Sequence, residues 1–415
     1  MYKILTFLCC FIYIHTQSYG QCDSRFENEI SDTYILQKDL VYGSNVNSTG
    51  DSVDLYYDLY EPSIESDEER PLVILIHGGG FFDGTKEAAE VRWFCEDLAK
   101  RGIVTASISY RLEPDILSLT EPEKMIKAVM RGAEDAKASI RYFRKTIDEG
   151  NPYNISNDYI FIGGTSAGAI AALHCVYMDD FDEIPSSFQD WIFELGIDET
   201  LEGNSGSAGY SSKVAGVINI SGALKTPEFM NNNADIPLLS THNEIDFTVP
   251  YAWGRPYQIP FLPLVAGSYL LNLKMKSLGG YTELYTVYEI NHVPHTAVEG
   301  GVNELVYNKT LEKMAALFRH VIPCNELPTS VLEDVSTTIE VYPNPTTSYV
   351  LINGLKNIEN YTFELVNTNG KSFEINDVAS NGKIIIPHSL SSGTYLLNAI
   401  NTSDKTFFTK KVLIQ

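Results

Sequence analysis

Asp158-Tyr159-Ile160-Phe161-Ile162-Gly163-Gly164-Thr165-Ser166-Ala167-Gly168-Ala169-Ile170-Ala171-Ala172-Leu173-His174-Cys175 is the stretch on which the reading of this chain turns. An apolar run ends in the pattern G-x-S-x-G at 164–168 and passes into a series of small residues, which reads as strand, sharp turn and helix. At such a turn Ser166 adopts a strained backbone and presents its Oγ. Only residues without bulk on either side let strand and helix approach closely enough. Gly, Ser and Ala are common residues, so the pentapeptide gains its weight from matching parts elsewhere.

Outward from this stretch, runs suited to strands buried on both faces recur at 72–76, 103–110, 215–221, 237–241 and 283–290. Helical patterns lie between them. The clearest covers 122–147, with Ile126, Val129, Ala133, Ala136, Ile140, Phe143 and Ile147 three or four apart. Strands alternating with helices imply crossover units and a mostly parallel sheet. Ahead of them, β-rich runs at 34–42 and 53–60 flank an Asn/Ser/Gly turn and predict an antiparallel hairpin. Residues 179–212 break the rhythm, first acidic, then aromatic at Phe188, Trp191 and Phe193, then Gly/Ser-rich. They read as an insertion that either walls the site near Ser166 or forms an ordinary surface excursion.

The chain has 415 residues, 44 % hydrophobic and 20 % charged, enough for one large α/β domain and a small one with proper cores. A formal net charge of −24 argues against nucleic acid or an anionic membrane as partner. Residues 1–20 read as a secretory signal, with Lys3, an apolar stretch at 4–14, and Ser18 and Gly20 before a cut near Gln21. That stretch falls short of the roughly 20 residues of a bilayer span. No transmembrane segment is expected in the mature chain. Of six cysteines, Cys9 and Cys10 leave with the signal. Cys22, Cys95, Cys175 and Cys324 remain, an even number open to three pairings after export, with Cys175 equally suited to be a buried thiol.

A serine hydroxyl needs a base, a carboxylate to orient that base, and donors for the oxyanion. His77-Gly78-Gly79-Gly80 follows the run at 72–76, and the amides of Gly79 and Gly80, with that of Ala167, are candidates for the oxyanion hole. The same glycines would suit a plain turn; a phosphate cradle is disfavoured because no G-K-[ST] follows. Asp246 comes soon after the run at 237–241, and His292 directly after that at 283–290, so the order is Ser, Asp, His. His295 is the rival base and Glu244 the rival acid. Pro294 is expected to turn the chain so that His295 sits at the rim. His77, His174 and His242 are read as packing and loop residues. No C-x-x-C or H-E-x-x-H pattern exists, and no metal or cofactor is expected.

These motifs together resemble the carboxylesterase and hormone-sensitive-lipase-like branch of the α/β-hydrolases. The resemblance covers about 72–319 and rests on His77-Gly78-Gly79-Gly80-Phe81, Ser109-Tyr110-Arg111-Leu112, Asp135-Ala136-Lys137-Ala138-Ser139-Ile140-Arg141-Tyr142 and Gly164-Thr165-Ser166-Ala167-Gly168. It implies an ester hydrolase with Ser166 as nucleophile and Gly79, Gly80 and Ala167 as oxyanion hole. The sequence departs from the family at His242-Asn243, where His-Gly is usual, and at Asn291-His292-Val293-Pro294-His295, where a single His is. After Cys324 the texture changes to a polar linker at 326–337 and then short β-rich segments between turns, a small all-β sandwich at 338–415. That tail resembles a type IX secretion sorting domain of Bacteroidetes, through Val341-Tyr342-Pro343-Asn344-Pro345-Thr346, Asn369-Gly370-Lys371, Gly393-Thr394-Tyr395-Leu396-Leu397 and Lys410-Lys411-Val412-Leu413-Ile414.

The expectation is an α/β-hydrolase at 21–325, a mostly parallel sheet flanked by helices, followed by the small sandwich. Its function would be that of a secreted serine carboxylic-ester hydrolase working through an acyl-enzyme on a small-molecule or polymer-borne ester, with the type IX secretion machinery as partner. A serine peptidase or acyl-peptide hydrolase of the same fold, and a non-catalytic surface binding protein on a hydrolase scaffold, are the alternatives. Residues 179–212 and 251–264 are expected to shape the acyl pocket.

Overall fold

The apolar runs become the strands of one eight-stranded sheet. The computed structural model describes residues 25–323 other than 185, 198 and 298, and 339–415 other than 354, 356, 357, 368–370, 376, 377, 380, 381, 388, 389 and 402–406. The expected signal at 1–20, Cys22, Cys324, the linker at 326–337 and the Asn369-Gly370 pair lie outside the described residues. The chain divides into two units, Met1–Cys324 and Asn325–Gln415.

Numbered in chain order, the first unit contains β1 (Tyr34–Val46), β2 (Ser52–Pro62), β3 (Arg70–Ile76), β4 (Val104–Ile108), β5 (Ile155–Thr165), β6 (Gly216–Ile220), β7 (Ala223–Leu224), β8 (Leu238–Ile245), β9 (Trp253–Gly254), β10 (Val265–Gly267) and β11 (Thr282–Ile290). The large sheet has the order β1-β2-β4-β3-β5-β6-β8-β11, while β7, β10 and β9 make a small one. Antiparallel pairing joins β1 to β2 and β2 to β4; from β4 to β11 every neighbouring pair is parallel. This is the α/β-hydrolase fold that the motifs imply. β8 reaches Ile245 instead of stopping at 241, because Ser240, Thr241, His242 and Asn243 are polar yet wholly buried, and a hydrophobicity pattern does not register them.

Helices cover both faces: α1 (Ala89–Lys100), α2 (Pro122–Asp148), α3 (Ala167–Tyr177), α4 (Ser186–Glu194), α5 (Ser268–Ser277) and α6 (Glu304–Val321). The period of two along β3 sends Leu72, Ile74 and Ile76 into one core with α2 and α3, and Val73 and Leu75 into the other with α1 and α6. All seven β3 residues are buried, as strands covered on both faces require. Ten of the eleven residues of α3 are buried, which explains why this helix is apolar all round instead of striped. Cys95 and Cys175 are free buried thiols and form no bridge with each other. Burial pushes Cys175 up to about 12, the behaviour of a packing residue.

The second unit is an antiparallel sandwich. One sheet has β12 (Glu340–Tyr342), β13 (Tyr349–Asn353) and β16 (Lys383–Ile385); the other has β14 (Tyr361–Asn367), β15 (Ser372–Ile375), β17 (Gly393–Asn401) and β18 (Phe407–Ile414). Val350, Leu365, Ile384, Leu397 and Val412 fill its own core. The sequence pattern missed β15, a strand of four residues.

Four imidazoles are buried, those of His77, His174, His242 and His295. His295 lies against the rings of Phe94 and Tyr307 with Nε2 donating to the Glu90 carbonyl at 2.8 Å. It is 0 % exposed, so the expected rim position is corrected: after Pro294 the chain turns into the core, where α1 and α6 supply an aromatic cage. Burial pushes His77, His174 and His295 each down to about 4. In the unfolded chain they take up protons near ~6.5. Between these values the unfolded state binds more protons, so stability is complete above the upper value and lost as pH falls toward the lower one. The urea midpoint is therefore expected to drop from pH 7.5 to pH 5, and a His295→Gln variant, which keeps a donor for Glu90, should show a smaller drop. An equal drop in both proteins would remove His295 from this account.

Candidate active site

Ser166 stands between the end of β5 and the start of α3 with φ 55° and ψ −118°, a conformation that costs a non-glycine residue on the order of 1–3 kcal/mol. Its backbone is held on both sides: the amide donates to the Ile220 carbonyl at 2.8 Å, and its carbonyl accepts from Ile170 at 2.9 Å. The turn closes because Gly168 has no side chain; a Cβ there would lie 2.1 Å from the Ile76 carbonyl oxygen. Gly79, at φ 103°, is equally constrained, since a Cβ would meet the Asp83 carbonyl oxygen at 1.9 Å. The loop at 77–84 thereby folds back beside Ser166. Ala167 is the first residue of α3, where a backbone N–H has no intrahelical acceptor.

Asp246 directly follows β8, and His292 follows β11 by two residues, so the parallel pairing of these strands carries both to one end of the sheet. His292 Nδ1 donates to Asp246 Oδ2 at 2.7 Å, and Nε2 accepts from Ser166 Oγ at 2.6 Å. Asp246 Oδ1 accepts from the amides of Thr248 and Val249 at 2.8 and 3.0 Å. The candidate serine, base and acid thus meet in one hydrogen-bonded row. His295 does not join them. Glu244 is exposed on β8.

A second imidazole reaches the same carboxylate. His242 Nε2 lies 3.3 Å from Asp246 Oδ2 and 3.1 Å from the Val249 carbonyl, and its Nδ1 accepts from Ser268 Oγ at 2.7 Å. Asn219 Nδ2 in turn donates to Ser268 Oγ and Ser240 Oγ, both at 2.9 Å, and its Oδ1 accepts from the Gly222 amide at 2.9 Å. His242, Asn219, Ser240 and Ser268 are all 0 % exposed. Reading His242 as a packing residue therefore missed its contact with Asp246; the one local hint was its spacing of four from that acid. Nothing local marked Asn219 or Ser268. Burial raises the Asp246 carboxyl, and the hydrogen bonds from His242 and His292 outweigh it, holding the group below its ordinary value.

Ser166 opens into a cavity of about 100 Å³ with almost wholly apolar walls. Met125, Ile126 and Val129 come from α2 and Ile170 from α3; Ile184, Phe188 and Ile192 come from residues 179–212, which thus wall the cavity. Pro256, Tyr257 and Pro263 supply another side, within the stretch 251–264. Among the described residues, no group of three or more His, Cys, Asp or Glu side chains gathers to hold a metal ion.

Residues 57–244 match the BD-FAE family, and residues 340–415 the secretion system C-terminal sorting domain. The BD-FAE match contains Ser166, His77 to Gly80 and His242 but ends before Asp246 and His292. The sorting domain marks the chain for secretion or display at the cell surface. Among solved structures the chain is similar to Thermogutta terrifontis esterase 2 phosphorylated by paraoxon, with 20 % identity over 70 % of this chain and 96 % of that one and a TM-score of 0.47. It is also similar to the propionate-bound form of that esterase, with 21 % identity over 68 % and 95 % and a TM-score of 0.46. The butyrate-bound form gives 20 % identity over 67 % and 94 % and a TM-score of 0.46. No curated protein matches the chain.

His242 can be tested through the acid alone. A His242→Leu variant removes one donor to the charged carboxylate, so Asp246 should titrate at higher pH than in the parent protein. The carbon-13 shift of the Asp246 side chain, followed through acidic pH, reads this directly; an unchanged titration would show that His242 does not support the carboxylate.

Proposed function

We propose that the chain is an exported serine carboxylic-ester hydrolase with Ser166 as nucleophile, His292 as base and Asp246 as the acid that orients it. One observation carries this reading: the unbroken row from Asp246 through His292 to Ser166, with both hydrogen bonds shorter than 2.8 Å. In the first half-reaction Oγ attacks the ester carbon as its proton passes to His292 Nε2, and Asp246 stabilises the imidazolium. The amides of Gly79, Gly80 and Ala167 receive the oxyanion, each donor being worth roughly 3 kcal/mol. Collapse breaks the bond to the alkoxy oxygen, which takes the proton from His292, and the alcohol leaves. Water then repeats the sequence on the acyl-enzyme, releasing the carboxylic acid and restoring Ser166.

The leaving alcohol must lie against His292 Nε2 to be protonated. His292 is absent from the lining of the apolar cavity, whereas Gly80 and Ala167 belong to it, so the cavity takes the acyl side. Export proceeds through the segment at 1–20 and the type IX machinery that reads the tail.

Ser166→Ala should remove turnover of p-nitrophenyl butyrate with an unchanged circular-dichroism spectrum, since only the nucleophilic oxygen is lost. His292→Ala should lower kcat by a factor on the order of ten thousand or more. His295→Ala should instead cost about 1–3 kcal/mol of stability through the core, with kcat of the folded protein nearly unchanged. If His295→Ala is the crippled enzyme, the base assignment is wrong. Removing residues 338–415 should leave the purified enzyme active and stop its export in the native host; a folded but inactive truncation would assign the tail a part in the chemistry.

A further inference from the structure

The cavity beside Ser166 has one cationic wall residue, Lys225, directly after β7. Its backbone amide donates to His174 Nε2 at 3.3 Å. His174 lies eight residues after Ser166, and at 1.5 Å of rise per residue this puts Lys225 beside α3 at about 12 Å from the nucleophile's end of the helix. The ammonium donates to the Leu264 carbonyl at 3.2 Å and lies 6.0 Å from the centre of the Phe188 ring. Neither neighbour neutralises it. Arg255, whose charge acts on Lys225, spends one guanidinium nitrogen on the Leu262 carbonyl. Among the described residues neither cation forms an ion pair with a carboxylate.

Composition makes this unexpected. The chain has 54 Asp and Glu against 30 Lys and Arg, so acidic partners are abundant, yet Lys225 in the wall of an apolar cavity and Arg255, whose charge reaches it, are left without one. On the serine-esterase reading above, we propose that the acyl pocket selects chains ending in an anion, monoesters of dicarboxylic acids, with Lys225 receiving the far carboxylate and Arg255 adding to the field. The apolar walls from Met125 to Ile170 hold the methylene chain between the two ends. Burial first, and then the charge of Arg255, draw the Lys225 ammonium below its ordinary value. An arriving carboxylate offsets both effects, which is the electrostatic gain that would pay for its own desolvation. His174, the other titratable group in the wall, is neutral through burial and has both nitrogens engaged, so it does not compete for the anion.

A lysine can also line an apolar wall merely with its stem, holding the ammonium toward water. The two roles separate in the full-length protein with a pair of eight-carbon substrates, mono-p-nitrophenyl suberate and p-nitrophenyl octanoate. The parent enzyme should show the lower KM for the suberate monoester. Lys225→Met, which keeps an apolar stem, should raise that KM roughly tenfold, the size of a half-buried ion pair, with kcat little changed. The octanoate KM should stay level or fall. Lys225→Arg should restore the preference, and added salt should raise KM for the suberate monoester alone. A parent enzyme without the preference, or a Lys225→Met variant that retains it, overturns the proposal.

Free suberate titrated calorimetrically into Ser166→Ala, with and without Lys225→Met, separates this proposal from the esterase reading. Suberate binding that depends on Lys225, in a chain that hydrolyses neither ester, sinks the esterase reading and leaves the anion site standing. Ser166-dependent octanoate hydrolysis without suberate binding does the reverse.

Discussion

The carbonyl oxygen of Ile76, at the end of β3, lies so close to positions 164 and 168 that a Cβ at either would stand 2.4 or 2.1 Å from it. Glycine is the only residue that admits this approach. Because β3 and β5 are neighbours in the sheet, the contact pulls the start of α3 over the strand ends and forces Ser166 into its strained turn. The same carbonyl ends the strand that leads into His77 and the glycine loop. Ser166 and the glycine loop are therefore set by one point of backbone contact, and Asp246 and His292 reach the same end of the sheet from β8 and β11. A single methyl group at 168 would separate sheet from helix and disturb both at once.

The features legible in the sequence were those governed by local chemistry. The G-x-S-x-G turn, the all-apolar β3 and the striped α2 each follow from what a few consecutive residues can do. Parallel order follows from strands alternating with helices. The environments of His242 and His295 depend instead on partners distant in the chain. His295 is buried because Phe94 on α1 and Tyr307 on α6 close around it, and its own neighbours, Pro294 and Thr296, give no sign of that. His242 meets Asp246 because β8 continues through polar residues into a region filled by Ser268 and Asn219. A pattern of apolar residues ends where such a network starts. The short β15 escaped for the opposite reason, having too few residues to establish a period.

Charge inside the first unit is matched far from Ser166 as well. Arg111, 5 % exposed, bonds Glu134 at 2.5 Å and Asp135 at 2.8 Å, and Ser205 Oγ donates to Asp135 at 2.7 Å. Arg141 holds Glu202 at 2.9 Å. The Arg111 pairs are buried on both sides, and pairs of this kind add little net stability but penalise any other arrangement of their partners, while Glu202 is partly exposed. Their effect here is positional: they fasten the latter part of residues 179–212 to α2. The earlier part, bearing α4, is left to stand against the cavity with Ile184, Phe188 and Ile192.

This division of labour within residues 179–212 bears on how such a protein diversifies. Ser166, Asp246 and His292 stand on strand ends and in turns that the sheet itself fixes, whereas one cavity wall is carried by a single excursion clamped through Glu202 and Ser205. Exchanging the segment between Met178 and those clamps would reshape the pocket without disturbing the row from Asp246 to Ser166. The segment behaves as a cassette whose wall residues can change as a block, provided that each incoming version brings a carboxylate for Arg141 and a hydroxyl for Asp135.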